Sequence, residues 1–336
     1  MSSLLARKRT LAVLFATIPA AAFPLAHAQT PSSPPSLQAP GTNADAKAYV
    51  EYGAASGQRG ELDAAVTAFQ TAIKIDPKFA PAYYNLGYAE LLQGKKDEAV
   101  KNFGQTIQID PNFLDAYTQR GDIRGQSGDF AGAVTDFQQI VRLSPNLPSA
   151  HYNLGHVYYF TGDLDNASKE LDISLTLNPQ QPFAYYIRGL IRRAQGRSAE
   201  ATGDFRKSLG FNFANAAFWI FFCESEDGLT DAAQKDLSDA MASPQVFKPN
   251  DFPSAVGTFL LGRLSQDQLV AQAQAAKESD RDDFLCAAWF YAGMMDRLAG
   301  KKADARDCFA KAIATNSKGS EEYVEAQREI AKIPGL

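Results

Sequence analysis

Three kinds of side chain in this chain could carry chemistry: histidine, cysteine and paired carboxylate. Beyond His27 the only histidines are His151 and His156. Five positions apart, they point to different faces of a helix, whereas a paired-histidine zinc helix needs both on one face. Asp163 and Asp165 resemble the start of a calcium loop, but the glycine and the downstream glutamate of such a loop are missing. They read instead as helix-start carboxylates, facing the partial positive charge of a first turn. Cys223, Cys286 and Cys308 are odd in number. An oxidising compartment would let a bridge persist. If Cys286 opens a first helix and Cys308 lies in the second, they sit roughly 7 Å apart along the axis, a poor geometry for a disulfide. Buried free thiols are the expectation, a bridge the alternative. There is no phosphate-binding glycine loop, nucleophile elbow or two-cysteine metal knuckle. The sequence therefore predicts no catalytic residue, cofactor or metal, and no enzyme.

The elements around these residues repeat. Gly53, Gly87, Gly121, Gly155 and Gly189 recur at a step of 34, as do Gly60, Gly94, Gly128, Gly162 and Gly196. Ala65, Ala99, Ala133, Ala167 and Ala201 keep the step, with Phe69, Phe103, Phe137, Leu171 and Phe205. Pro77, Pro111, Pro145 and Pro179 close four units, and Phe213 stands in the fifth. His151 takes the slot of Tyr49, Tyr83, Tyr117 and Tyr185, which implies a structural role. This register is similar to that of the tetratricopeptide repeat family, in which each unit is two antiparallel helices. The first glycine should face the alanine across the pair, so a bulky residue there would cost about 1–3 kcal/mol by overpacking. The second glycine should end the first helix in a left-handed conformation. The phenylalanine should fill the space between units, contributing about 1.5–3 kcal/mol by burial. The resemblance implies an all-α solenoid, a right-handed superhelix of helix-turn-helix repeats. Residues 46–213 read as five consecutive units and 214–281 as a degenerate helical repeat with an insertion. Residues 282–319 read as a last unit and 320–336 as a capping helix. Within 214–281, Ser265 and Gln268 form a capping box for a helix over roughly 266–278. On the cap, Tyr323, Ala326, Ile330 and Ile333 share one face. Glu321, Glu325, Arg328, Glu329 and Lys332 should form its polar outer face.

The resemblance also implies a binding surface, because the first helices of such repeats line a concave face. Positions five, six, nine and twelve of each unit face the ligand in that family. Here they carry Tyr84, Asn85 and Tyr88, then Thr118, Gln119 and Asp122, then Tyr152, Asn153, His156 and Tyr159, and Tyr186 in the fifth unit. Amides can pair with an extended peptide, each bond netting about 0.5–1.5 kcal/mol. Tyrosines give large contact area with few rotamers to freeze. The alternative is that the tyrosines only pack between neighbouring first helices. Some family members clamp a terminal carboxylate with lysines, asparagines and an arginine. The basic residues of that clamp are missing here, so an acidic tail is not the expected ligand.

The ends are of different character. Residues 1–28 read as a cleavable signal peptide: Arg7, Lys8 and Arg9, then an apolar stretch, then Ala26-His27-Ala28. The apolar run is short for a bilayer span, though a retained anchor is the alternative. Residues 29–45 are rich in proline and serine and read as a flexible linker, with a docking peptide as the minority reading. The formal charge of −5 argues against nucleic acid as a partner. These features place the protein in the periplasm or outside the cell.

A looser likeness covers Phe252-Pro253, the run Phe259 to Ser265, the run Cys286 to Gly293, and Glu322-Tyr323. These residues resemble the C-terminal part of the NlpI-type periplasmic repeat lipoproteins. Members of that family scaffold cell-wall hydrolases and a protease in the envelope, often as homodimers. Here Gln29 stands where the family has its lipidated cysteine, so no lipid anchor is expected. The resulting expectation is a non-catalytic periplasmic adaptor, binding envelope proteins or peptides through its concave groove. The alternative is an assembly factor held in one permanent complex through its convex or C-terminal surface. The aromatic cluster Phe218 to Phe222 would then be an interface. Burial of that cluster separates the two.

Overall fold

The computed structural model describes residues 40, 41 and 44–333. The signal-like residues 1–28 and most of the stretch 29–45 lie outside the described residues. So do residues 334–336 of the expected cap. Among the described residues the fold is all-α, and no helix is long and apolar enough to cross a membrane. The helices fall into two units divided after Pro145.

The first unit holds three antiparallel pairs: α1 (Ala46–Gln58) with α2 (Leu62–Ile75), α3 (Ala80–Leu92) with α4 (Lys96–Ile109), and α5 (Leu114–Gln126) with α6 (Phe130–Leu143). Asp45, the last residue of the expected linker, is the N-cap of α1, its side chain accepting from the Ala48 amide. Gly60 has φ of +81°, a left-handed conformation that closes the turn between α1 and α2 as the register demands. The inward glycine works differently from expectation. A Cβ at Gly53 would stand 2.6 Å from the Phe69 ring, so the glycine admits the aromatic ring of its own pair. At Gly87, Gly155 and Gly293 the alanine backbone comes close as well, its carbonyl oxygen 3.1, 3.1 and 3.2 Å from such a Cβ, as the register predicts. The phenylalanine thus fills space within its own pair, which the missing side chain leaves open, and Phe205 also stacks on Trp219 of the next pair.

The second unit begins with α7 (Pro148–Thr161) and α8 (Leu164–Leu177), then α9 (Pro182–Ala194) and α10 (Ser198–Leu209). The degenerate stretch resolves into two further pairs, α11 (Asn215–Glu226) with α12 (Thr230–Met241) and α13 (Phe252–Leu260) with α14 (Gln266–Gln274). The Ser265–Gln268 capping box forms, and α14 stops at Gln274, short of the expected 278. The last pair is α15 (Glu278–Leu298) and α16 (Lys302–Ala314), followed by α17 (Glu321–Ala331). Helix α15 starts four residues before the expected boundary, with Glu278 and Asp280 in its first turn.

Phe218, Trp219, Ile220, Phe221 and Phe222 of α11 are buried. Phe218 packs on Phe247 and Tyr291, and Trp219 on Phe205 and Phe290. The cluster is core, which removes the surface on which the assembly-factor alternative rested. The three cysteines are buried and free, and burial pushes the Cys223 thiol up to about 11 and those of Cys286 and Cys308 to about 12. Asp163 caps α8 through the Asn166 amide, as a helix-start carboxylate should. His151 is buried with Nδ1 2.7 Å from Glu170.

Candidate functional site

The expected ligand-facing side chains are for the most part covered. In the first unit Tyr84, Asn85, Tyr88 and Asp122 are buried, while Thr118 and Gln119 are half-buried. Tyr84 lies between Phe103 and Phe113, with ring centroids at 5.6 and 4.9 Å. Asn85 is 0% exposed, and its Nδ2 donates to the Pro81 carbonyl at 2.8 Å. Its amide therefore serves its own helix. Burial pushes the Asp122 carboxyl up to about 7. Thr118 donates to the Leu114 carbonyl, again within its own helix.

In the second unit Tyr152 is half-buried, and Asn153, His156, Tyr159 and Tyr186 are buried. Three of these lie around α17. This helix does not cap the chain with a polar outer face. Glu321, Glu322, Glu325 and Glu329 all point inward and are buried. The reason is that α7, α9 and α15 offer donors that solvent would otherwise have to supply. Tyr159 Oη donates to Glu325 at 2.7 Å. Arg193 Nη1 donates to Glu329 at 2.9 Å and stands 3.8 Å from Glu325. Arg297 Nε lies 3.4 Å from Glu329. Tyr291 Oη donates to Glu322 at 3.3 Å, and His156 Nε2 stands 3.8 Å from Glu321. Arg328 of α17 answers in the other direction, donating to the Tyr159 carbonyl at 2.7 Å with its guanidinium over the Tyr159 ring.

The two ends of α17 differ in charge state. Burial, with Asp283 adding to it, pushes Glu321 up to about 8. Burial and then Glu321 do the same to Glu322. Burial holds His156 down near 3, so at neutral pH this end is a contact of uncharged groups. At the other end burial opposes the Glu329 charge, but Arg193, Arg297 and Lys332 outweigh it and lower the pKa. Burial likewise opposes the Arg193 charge, and Glu329, Glu226 and Glu325 more than restore it. Glu226 also pairs with Arg297, so it holds both cations in place. Arg193 is further stacked over Trp219 at 4.8 Å. Trp219 Nε1 donates to Tyr186 Oη at 3.0 Å, which fixes that tyrosine against the core.

Residue by residue, the sequence reading found Tyr159 and His156 but missed Arg193, Arg297, Tyr291 and the four glutamates. Arg193 was within reach, since it lies 34 positions after Tyr159 in the same slot of the next unit. The basic residue that serves a carboxylate here sits in the twelfth slot, outside the clamp positions that the sequence leaves without one. The inward glutamates carried no such signal, because α17 has a polar face in sequence whichever side it buries.

Models of the tetratricopeptide repeat match residues 57–94, 80–113, 121–162 and 152–217. The helix pairs within these ranges match tetratricopeptide repeats, and the all-α architecture of the described residues is consistent with a solenoid of such repeats. No curated protein matches the chain. Among solved structures, the chain is similar to a pilF structure from Pseudomonas aeruginosa at 17% identity, covering 62% of this chain and 95% of that one with a TM-score of 0.51. It is also similar to the MamA protein at 24% identity, covering 49% and 90% with a TM-score of 0.46. A third is YrrB, described as a TPR protein with an unusual peptide-binding site, at 20% identity, covering 57% and 92% with a TM-score of 0.46.

Proposed function

We propose that this tetratricopeptide-repeat chain is a non-catalytic adaptor that binds protein or peptide partners on the α7–α9–α15 face of its second unit. The observation that carries the reading is that this face already holds a helix, through Tyr159, Arg193, Arg297 and Tyr291. Side chains that hold one helix by convergent donors can hold another of the same chemistry. Two further points rest on sequence. The residues 1–28 support a periplasmic or secreted location. The likeness of 252–270 and 284–331 to NlpI-type proteins supports envelope proteins as clients, cell-wall hydrolases or proteases among them, and a homodimer.

The test is affinity capture from envelope extract of the protein's own source. One bait is the immobilised chain and the other carries Tyr159→Phe with Arg193→Lys, which keeps size and charge but removes the hydroxyl donor and the planar fork. Clients held by the first bait and lost from the second support the adaptor. Equal retention on both baits removes this face from the argument.

A further inference from the structure

Helix α17 is an unusual closing element. It has 11 residues, too few to be stable alone in water. Its buried apolar side chains are small, Val324 and Ala326, so hydrophobic burial contributes little to its docking. What holds it is a pair of carboxylates, Glu325 and Glu329, one turn apart, with the uncharged Glu321 a further turn along the same stripe. A helix that only sealed a core would be expected to be apolar there, because desolvation of buried ion pairs offsets most of their attraction. Such pairs supply register and selectivity more than holding strength. The wall matches the two charged members of the stripe: Arg193 and Arg297 supply positive charge to Glu329 and Tyr159 supplies a hydroxyl donor to Glu325, while Tyr291 donates to the neighbouring Glu322. Arg193 is itself buried and keeps Glu226 of α11 as a partner, so a carboxylate in the cleft meets a positive charge that is already held in position.

From this match we infer that the α7–α9–α15 cleft is a receptor for an acidic amphipathic helix, and that α17 is its built-in, displaceable occupant. The partner is a protein segment with carboxylates at i and i+4 and small apolar residues between them. This rests on the adaptor reading above and names the partner class for the same face. Binding exchanges one set of carboxylates for another, so Arg193 and Arg297 are never left unpaired in either end state. Residues 315–320 connect α17 to α16, which ends at Ala314.

The experiment uses the full chain and a synthetic peptide of residues 317–333 as the probe. Hydrogen exchange is followed at α17 and at α9 while the peptide is titrated in. The expected result is that α17 loses protection with rising peptide while α9 keeps it. A peptide carrying Glu325→Gln and Glu329→Gln should compete about tenfold more weakly. In a full-length variant with Glu325→Ala and Glu329→Ala, labelled wild-type peptide should bind at least about tenfold tighter than to the unaltered chain. Adding Arg193→Met to that variant should abolish the gain. An α17 that stays as protected as α9 at every peptide concentration overturns the inference, as does equal competition by the glutamine peptide. Dimerisation that rises with chain concentration and itself loosens α17 would assign the cleft to a second copy and also overturn it. If the peptide fails while captured clients still depend on Tyr159 and Arg193, the inference falls and the adaptor reading stands. If both fail, both fall.

Discussion

Equivalent slots of the repeat meet opposite fates in the two units. The twelfth slot holds Leu91 and Gly125 in the first unit, and Tyr159 and Arg193 in the second. The ninth holds Tyr88 and Asp122 in the first, and His156 and Leu190 in the second. At these ligand-facing slots of the first unit the buried polar groups serve themselves: Asn85 bonds its own helix, and Asp122 carries a burial-raised carboxyl. In the second unit the polar slots are turned toward another helix and paired with it. The repeat backbone therefore dictates where a side chain points, and the element placed opposite decides whether that side chain packs or binds.

The sharpest way to break this comparison is to substitute the twelfth slot in both units. Arg193→Met takes a cation from the buried Glu329 and from the exposed Glu226. Removing one member of a buried ion pair costs about 3–5 kcal/mol. Leu91→Met, in a half-buried apolar site, should cost less than about 1.5 kcal/mol. Urea unfolding of both variants, with exchange at α17, measures the difference. Equal losses would mean that the second unit uses its slot no differently from the first.

How far the sequence carried follows from the same physics. The helix pairs, their left-handed glycines and the α14 capping box were legible because each depends on residues a few positions apart. Fixed local requirements leave a periodic trace. The repeated arginine forks did not register, although they are periodic too. Arg120 and Arg124 grip Asp136, and Arg188 and Arg192 grip Asp204 at the same offsets. They recur only in alternate units, so a step of 34 does not expose them. The orientation of α17 was not legible at all. Tyr159 and Glu325 are 166 positions apart, and no local rule links them. An amphipathic pattern gives two faces and leaves open which one turns inward, and here the acidic one does because its donors lie on α7, α9 and α15.

Acidity offers a gentler probe of the contrast. Glu321 and Glu322 keep their protons in the fold up to about 8 and lose them near 4.5 when unfolded. The folded state binds more protons in that window, so stability is complete below it and is lost as pH rises through it. His156 runs the other way: with a folded value near 3 against 6.5, its contribution is present above 6.5 and lost as pH falls. Between 6.5 and 8 only the two glutamates act at α17. Its protection, corrected for intrinsic exchange, should fall there by at most about 1.4 kcal/mol per pH unit and group. Glu322→Gln should flatten the decline. In the first unit Asp122 has the same sign, but its window closes near 7, so amides of α5 should level off where those of α17 still fall. Parallel profiles in both units would erase the distinction.

The smallest effect separates docking from folding. Ser320 caps α17, accepting from the Tyr323 amide, and touches none of the carboxylate pairs. Asp45 does the same for α1 in the first unit. Each replaced by alanine should cost about 1 kcal/mol at its own helix. At α1 that loss is fraying of an element whose Val50 and Ala54 are part of the core, so it should lower the unfolding midpoint. At α17 it should shift a local equilibrium instead. Ser320→Ala then speeds α17 exchange about fivefold, with the urea midpoint of the rest of the chain unmoved. A midpoint that drops as much as it does for Asp45→Ala would make α17 one more member of the cooperative fold, and the cleft would have no occupant to exchange.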